Sequence, residues 1–82
     1  MGRTKRQKPK RLARKLLAIR RELGVSQTQM AKLLRLKKAY TAVSAYERGT
    51  REPDLLVLLH YAKLANVSID VLVDDTKDLP RK

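Results

Sequence analysis

An 82-residue chain carrying a formal charge of +12 at pH 7 has room for one small helical core, so any function has to sit largely on its surface. It has no cysteine and one histidine, His60, which removes disulfides and thiolate sites and leaves a metal without enough ligands. There is no glycine-rich phosphate loop and no convergent acid pair, so the composition argues against an enzyme and calls for no cofactor and no metal.

The charge is one-sided. Residues 1–38 hold 14 of the 20 lysines and arginines against a single acid, Glu22, whereas residues 39–82 hold 6 against 7 acids. Such an excess suits a polyanionic partner, above all nucleic acid. The longest apolar run, LLVLL at 55–59, is far short of the roughly 18 residues that cross a bilayer, and no signal-peptide pattern follows the basic start. The expectation is a soluble, unprocessed protein with no membrane partner.

MGRTKRQKPKR, residues 1–11, has two breakers and no apolar periodicity, and reads as a flexible basic arm. Leu12, Leu16, Ile19 and Leu23 then recur at helical steps on one face, with Arg14, Lys15, Arg20 and Arg21 on the others, until Gly24 stops the first helix. Ser26 and Gln29 form a capping box for a second helix with Met30, Ala31 and Leu34 inward and Val25 as its staple. Arg35, Leu36 and Lys37 are positioned to extend that helix, with Lys38 and Ala39 as the turn.

Residues 41–48 read as a third, short helix with Val43 and Tyr46 inward, Thr41, Ser44 and Ala45 outward, and Gly49 at its end. After the GTREP turn, Asp54 caps a fourth helix whose inward stripe is Leu55, Leu58, Leu59, Ala62 and Ala65, ended by Asn66 in a left-handed conformation. Ser68 caps a last turn containing Ile69 and Leu72, and the tail from residue 74 to 82 is expected to fray. The fold class is therefore all-α, five helices over residues 12–73 without a strand.

Two short helices joined by a turn, the second with small side chains outward, meet the needs of a helix-turn-helix entering a major groove about 12 Å wide. The segments IRRELGVSQTQMAKLL, VSAYERGTREPD and LLHYAKLANVSIDVLV, in that order, resemble the Xre/Cro/C1 family of helix-turn-helix DNA-binding domains. The resemblance implies a compact five-helix, lambda-repressor-like domain. It further implies a transcriptional regulator, more often a repressor, acting as a homodimer on a pseudo-palindromic operator in double-stranded DNA. Its setting would be cytoplasmic, at a bacterial nucleoid or encoded by a phage.

Carried over by position, Gln27 matches the family's phosphate-contacting glutamine, and Tyr40, Thr41, Ser44 and Ala45 match positions that commonly face bases. Arg48, Thr50 and Arg51 surround the turn where family members grip phosphate. Glu47 matches the acid that pairs with a first-helix arginine, here Arg20, as a structural brace. The chain departs from the pattern in having two extra residues between Leu34 and Val43, with Arg35 in place of the common turn glycine. Lys37 and Lys38 then fall near the phosphate backbone, or are exposed loop lysines.

Leu56, Val57 and Leu64 lie outside the fourth helix's stripe and are candidates for a dimer surface, or are leucines and a valine that a small domain leaves exposed. His60 reads as an exposed helical residue. A second class of function is a protein-interaction module, such as an antitoxin that binds a toxin and represses its own gene. RNA binding lacks an aromatic stacking platform, and membrane-surface binding lacks large apolar residues in the arm.

Lys5, Arg6, Lys8, Lys10 and Arg11 either wrap onto DNA or form a solvated tail or a nuclear localisation signal. If they contact DNA, deleting the arm should weaken duplex binding and flatten its salt dependence, as measured by fluorescence anisotropy; unchanged affinity for every duplex would remove the arm from the interface.

Overall fold

The computed structural model describes residues 9–36 and 40–80. Within them lie five helices, α1 (Leu12–Leu23), α2 (Gln27–Leu33), α3 (Thr41–Arg48), α4 (Leu55–Ala65) and α5 (Ile69–Val73), and no strand. Lys5, Arg6, Lys8, Lys37, Lys38 and Ala39 lie outside the described residues.

Every helix sends at least one fully buried side chain inward. Leu16 of α1, Met30 of α2, Val43 of α3, Tyr61 of α4 and Leu72 of α5 meet in one core, with Leu34 beside them just past the end of α2. None of these helices exceeds 12 residues, a length at which isolated helices are marginal, so the shared core sustains them. α1 is the hub, touching α3, α4 and α5.

Four helices close in the same way. In each, an amide near the end of the helix reaches back to a carbonyl five residues earlier: Val25 to Arg20, Leu36 to Ala31, Thr50 to Ala45, and Val67 to Ala62. This closure needs a left-handed residue, supplied by Gly24, Arg35, Gly49 and Asn66 with φ of 71°, 61°, 76° and 59°. Arg35 is the unusual one, because a β-carbon there costs roughly 1–2 kcal/mol unless a short polar side chain relieves it. Thus α2 stops at Leu33 and does not run on through Leu36, despite the helix-compatible residues there. Leu36 instead folds back against the core.

The phase of α4 also differs from the sequence expectation. Val57, Leu58, Tyr61 and Ala62 are buried, Leu59, Leu64 and Ala65 are half-buried, and Leu55 and Leu56 are 71% and 62% exposed. Val57 thus belongs to the core and Leu64 packs on its edge, leaving Leu56 as the exposed one of the three candidate dimer residues. His60 is half-buried, and Leu23 of α1, expected inward, is 38% exposed.

Lys15 is buried, not solvated. Its Nζ donates to the carbonyls of Val71 at 2.7 Å and Asp74 at 3.0 Å, so it closes the C-terminal end of α5, where a cation is favoured. Ser68 sits at the N-cap of α5 but its hydroxyl bonds the Asp70 carboxylate, so it makes no side-chain cap to the helix amides.

The acidic segment after α5 is laid along α1 and does not hang free. The Asp75 carboxylate accepts the backbone N–H of Lys10 at 2.9 Å and of Arg11 at 3.0 Å, capping α1 from a distance. Arg11 Nη1 donates to the Asp75 carbonyl at 2.7 Å, its Nη2 pairs with Asp78, and Leu79 packs on the core. The amides of Lys10 and Arg11 hold the Asp75 carboxyl below the ordinary aspartate value of 3.8. A depressed folded value contributes stability above the ordinary pKa and loses it on acidification. The Lys10 and Arg11 amide resonances should therefore be steady above about pH 4 and shift as the pH falls below 3.8, whereas in Asp75→Asn that titration should vanish.

Candidate nucleic-acid interface

The start of α2 is fixed by the sequence around it. The Ser26 hydroxyl accepts the Gln29 amide at 3.1 Å, and the Gln29 side chain accepts the Ser26 amide at 2.8 Å, completing the capping box. That leaves Gln27 as the first helical residue, with its side chain directed to α3: Nε2 donates to Glu47 Oε1 at 3.0 Å.

The Glu47 carboxylate is where three elements meet. Arg20 Nε donates to Oε2 at 2.7 Å and Nη2 to Oε1 at 3.2 Å, while Arg20 Nη1 donates to the Val25 carbonyl at 3.0 Å. The Glu47 side chain is 5% exposed and that of Arg20 18%, so the pair works largely out of water. Its hydrogen bond with Glu47 raises the Arg20 pKa further above its ordinary value. One buried bidentate pair and one amide thereby fix α3 against both α1 and the start of α2.

With Ala42, Val43 and Tyr46 buried, the opposite face of α3 is set by helical geometry. Thr41 and Arg48 are exposed there, Ser44 and Ala45 are half-buried, and Tyr40, at the N-cap, is 49% exposed. Ala42 is a further core residue beyond the expected Val43 and Tyr46, and it lies four positions before Tyr46 on the same face.

The turn after α3 is organised as well. Gly49 takes φ 76°, and a β-carbon there would meet Ala13 only at an ordinary 3.6 Å, so conformation and not space favours glycine. Arg48 Nε donates to the Ser44 carbonyl at 3.3 Å, the Thr50 hydroxyl to the Ala45 carbonyl at 3.3 Å, and the Arg51 guanidinium stands 6.0 Å from the Tyr46 ring centroid. Arg48, Thr50 and Arg51 follow one another around the end of α3, Thr50 and Arg51 exposed and Arg48 bonded back along the helix.

The described arm residues divide. Lys10 is exposed with its amide on Asp75, whereas the Arg11 guanidinium is engaged by the Asp75 carbonyl and Asp78. Several acidic side chains are engaged elsewhere: Glu47 turns inward, Asp54 caps α4 through the Val57 amide at 3.0 Å, and Asp70, Asp74, Asp75 and Asp78 belong to α5 and the segment beyond it, whereas Glu52 follows Arg51 in the turn after α3. The end of α3 and its turn carry Arg48 and Arg51, with Glu52 next in the chain. Two arginines close by favour anions there over cations.

A family model for the helix-turn-helix matches residues 16–72. Among solved structures, the chain is similar to the P22 c2 repressor protein, determined in complex with the synthetic operator 9T in the presence of Tl+. The TM-score is 0.69 at 26% identity, over 78% of this chain and 94% of that one. A search of curated protein sequences returns no match.

Removing one member of the buried pair should be costly, because the other keeps its charge without compensation. Glu47→Ala should lower the unfolding free energy by about 3 kcal/mol, and replacing both partners, Arg20→Met with Glu47→Leu, should cost less than the single change. Urea denaturation of the single and double variants measures both; a double variant less stable than Glu47→Ala would contradict this account.

Proposed function

The chain belongs to the Xre/Cro/C1-type helix-turn-helix family, and from that membership we propose that it is a DNA-binding transcriptional regulator acting as a repressor on a specific operator. The observation that carries the proposal is the outward face of α3, held by the Arg20–Glu47–Gln27 network in a fold similar to that of a repressor solved on its operator. In this reading α3 enters the major groove. Thr41 and Ser44 offer hydroxyls to base edges, Ala45 offers a methyl to thymine, and Tyr40 contacts a base or the adjacent sugar-phosphate.

Arg48, Thr50 and Arg51 bind phosphate beyond the end of the recognition helix, and Lys37 and Lys38 are assigned to the same backbone. Gln27 serves both the fold and the DNA, since one amide N–H holds Glu47 and the rest of the carboxamide is left to a phosphate at the start of α2. The arm lysines and arginines add non-specific attraction, with Arg11 contributing only when it leaves the acidic tail.

A repressor of this size works by occupancy, its bound dimer excluding polymerase from an overlapping promoter. We assign dimer contact to the exposed Leu55 and Leu56 at the start of α4. The same pair supports a second reading, in which a partner protein such as a toxin covers it and DNA binding serves autoregulation.

A salt titration on the gene's own upstream DNA and on a scrambled duplex of equal length tests the proposal. A preference of about a thousandfold for the upstream DNA, with a log-log slope of about −0.9 for each phosphate neutralised, is expected. Equal binding to both duplexes would remove sequence-specific autoregulation.

A further inference from the structure

Three of the four left-handed helix closures use glycine or asparagine, residues that adopt this backbone readily; the closure of α2 uses an arginine with φ 61°. The backbone there is held from both sides. Leu34, before it, is 1% exposed in the core, and Leu36, after it, packs on the same core while its amide bonds Ala31. Arg35 therefore has no room to relax into an ordinary conformation, and its side chain is exposed. It makes no side-chain hydrogen bond or ion pair among the described residues.

A local benefit does exist, since a cation near the C-terminus of α2 complements the helix dipole. Lys32, in the last turn of α2, already supplies one. Arg35 also lies in the segment that leads directly into the exposed start of α3, where Tyr40 and Thr41 begin the proposed reading face. An unpartnered guanidinium at a backbone position that disfavours it, between the two helices of the motif, is best explained by what the side chain reaches.

We infer that Arg35 is a DNA-phosphate ligand of the α2–α3 turn, gripping the backbone that flanks the groove entered by α3. The inference rests on the reading of the chain as a DNA-binding protein. Because phosphate carries no sequence information, the contact serves every duplex equally and adds one released counterion to binding.

Two variants separate the backbone from the charge. Arg35→Gly relieves the left-handed backbone and deletes the guanidinium, whereas Arg35→Lys keeps both the conformation and a cation. With full-length protein and fluorescence-anisotropy salt titrations, Arg35→Gly should melt about 4 °C higher than the parent. It should nevertheless bind upstream and scrambled duplexes about fivefold more weakly, with a log-log slope smaller by about 0.9. Arg35→Lys should keep the parent slope.

Unchanged affinity and slope in Arg35→Gly, in a parent that binds DNA, would overturn this inference alone and leave Arg35 serving the end of α2. A loss confined to the upstream duplex would replace phosphate contact with base reading and overturn it too. A parent that binds no duplex at all would remove the proposed function together with this contact.

Discussion

Donors from two helices converge on the Glu47 carboxylate, and the position of α3 depends on that convergence. An eight-residue helix has little intrinsic stability and three inward side chains, Ala42, Val43 and Tyr46, with which to hold its rotation. Apolar packing resists pulling α3 away but is tolerant of rolling and sliding, because it is not directional. Two hydrogen bonds from a planar guanidinium and one from the Gln27 amide are directional, and they come from α1 and from the start of α2. The result is a fixed angle for the face made by Thr41, Ser44, Ala45 and Arg48.

Turning Glu47 inward has an electrostatic consequence too. The carboxylate would oppose an anion if it stood among the side chains at the end of α3; it is instead sequestered with Arg20. Several acids of the second half of the chain are similarly occupied elsewhere. Asp54 caps α4, Asp70 pairs with Lys77, and Asp75 and Asp78 hold the root of the basic arm. The strong charge asymmetry along the sequence thus becomes one of faces. Beyond Glu47, which pairs with Arg20, Asp75 and Asp78 meet the basic segment at the base of α1.

That contact at the base of α1 also explains how a chain with such short helices closes on itself. α1 begins at a residue without a side-chain cap, and α5 is only five residues long. Asp75 supplies the acceptor that α1 lacks, and Lys15 supplies the donor that the end of α5 lacks. Each terminus of the fold satisfies the orphan groups of the other.

The stripe of α1, the Ser26–Gln29 box, the Asp54 cap and the left-handed ends at Gly24, Gly49 and Asn66 were legible in the sequence because each depends on residues within one or two helical turns. The Arg20–Glu47 pairing followed from family resemblance, and its convergence with Gln27 needed coordinates. Other features had no local signal at all. LLVLLHYAKLA is apolar nearly all round, so its periodicity sets no phase; contact with α1 and α5 chose Val57, Leu58, Tyr61 and Ala62 and left Leu55 and Leu56 outside. The end of α2 was hidden because an arginine occupies the left-handed position, held there by Leu34 and Leu36 on either side. Lys15 looked like a solvated residue on the flank of an apolar stripe, and its acceptors lie 56 and 59 positions away. Periodicity and capping are properties of a segment, and they determined the helices; the direction of an ambiguous face and the burial of a charge depend on partners that only the closed chain brings within reach.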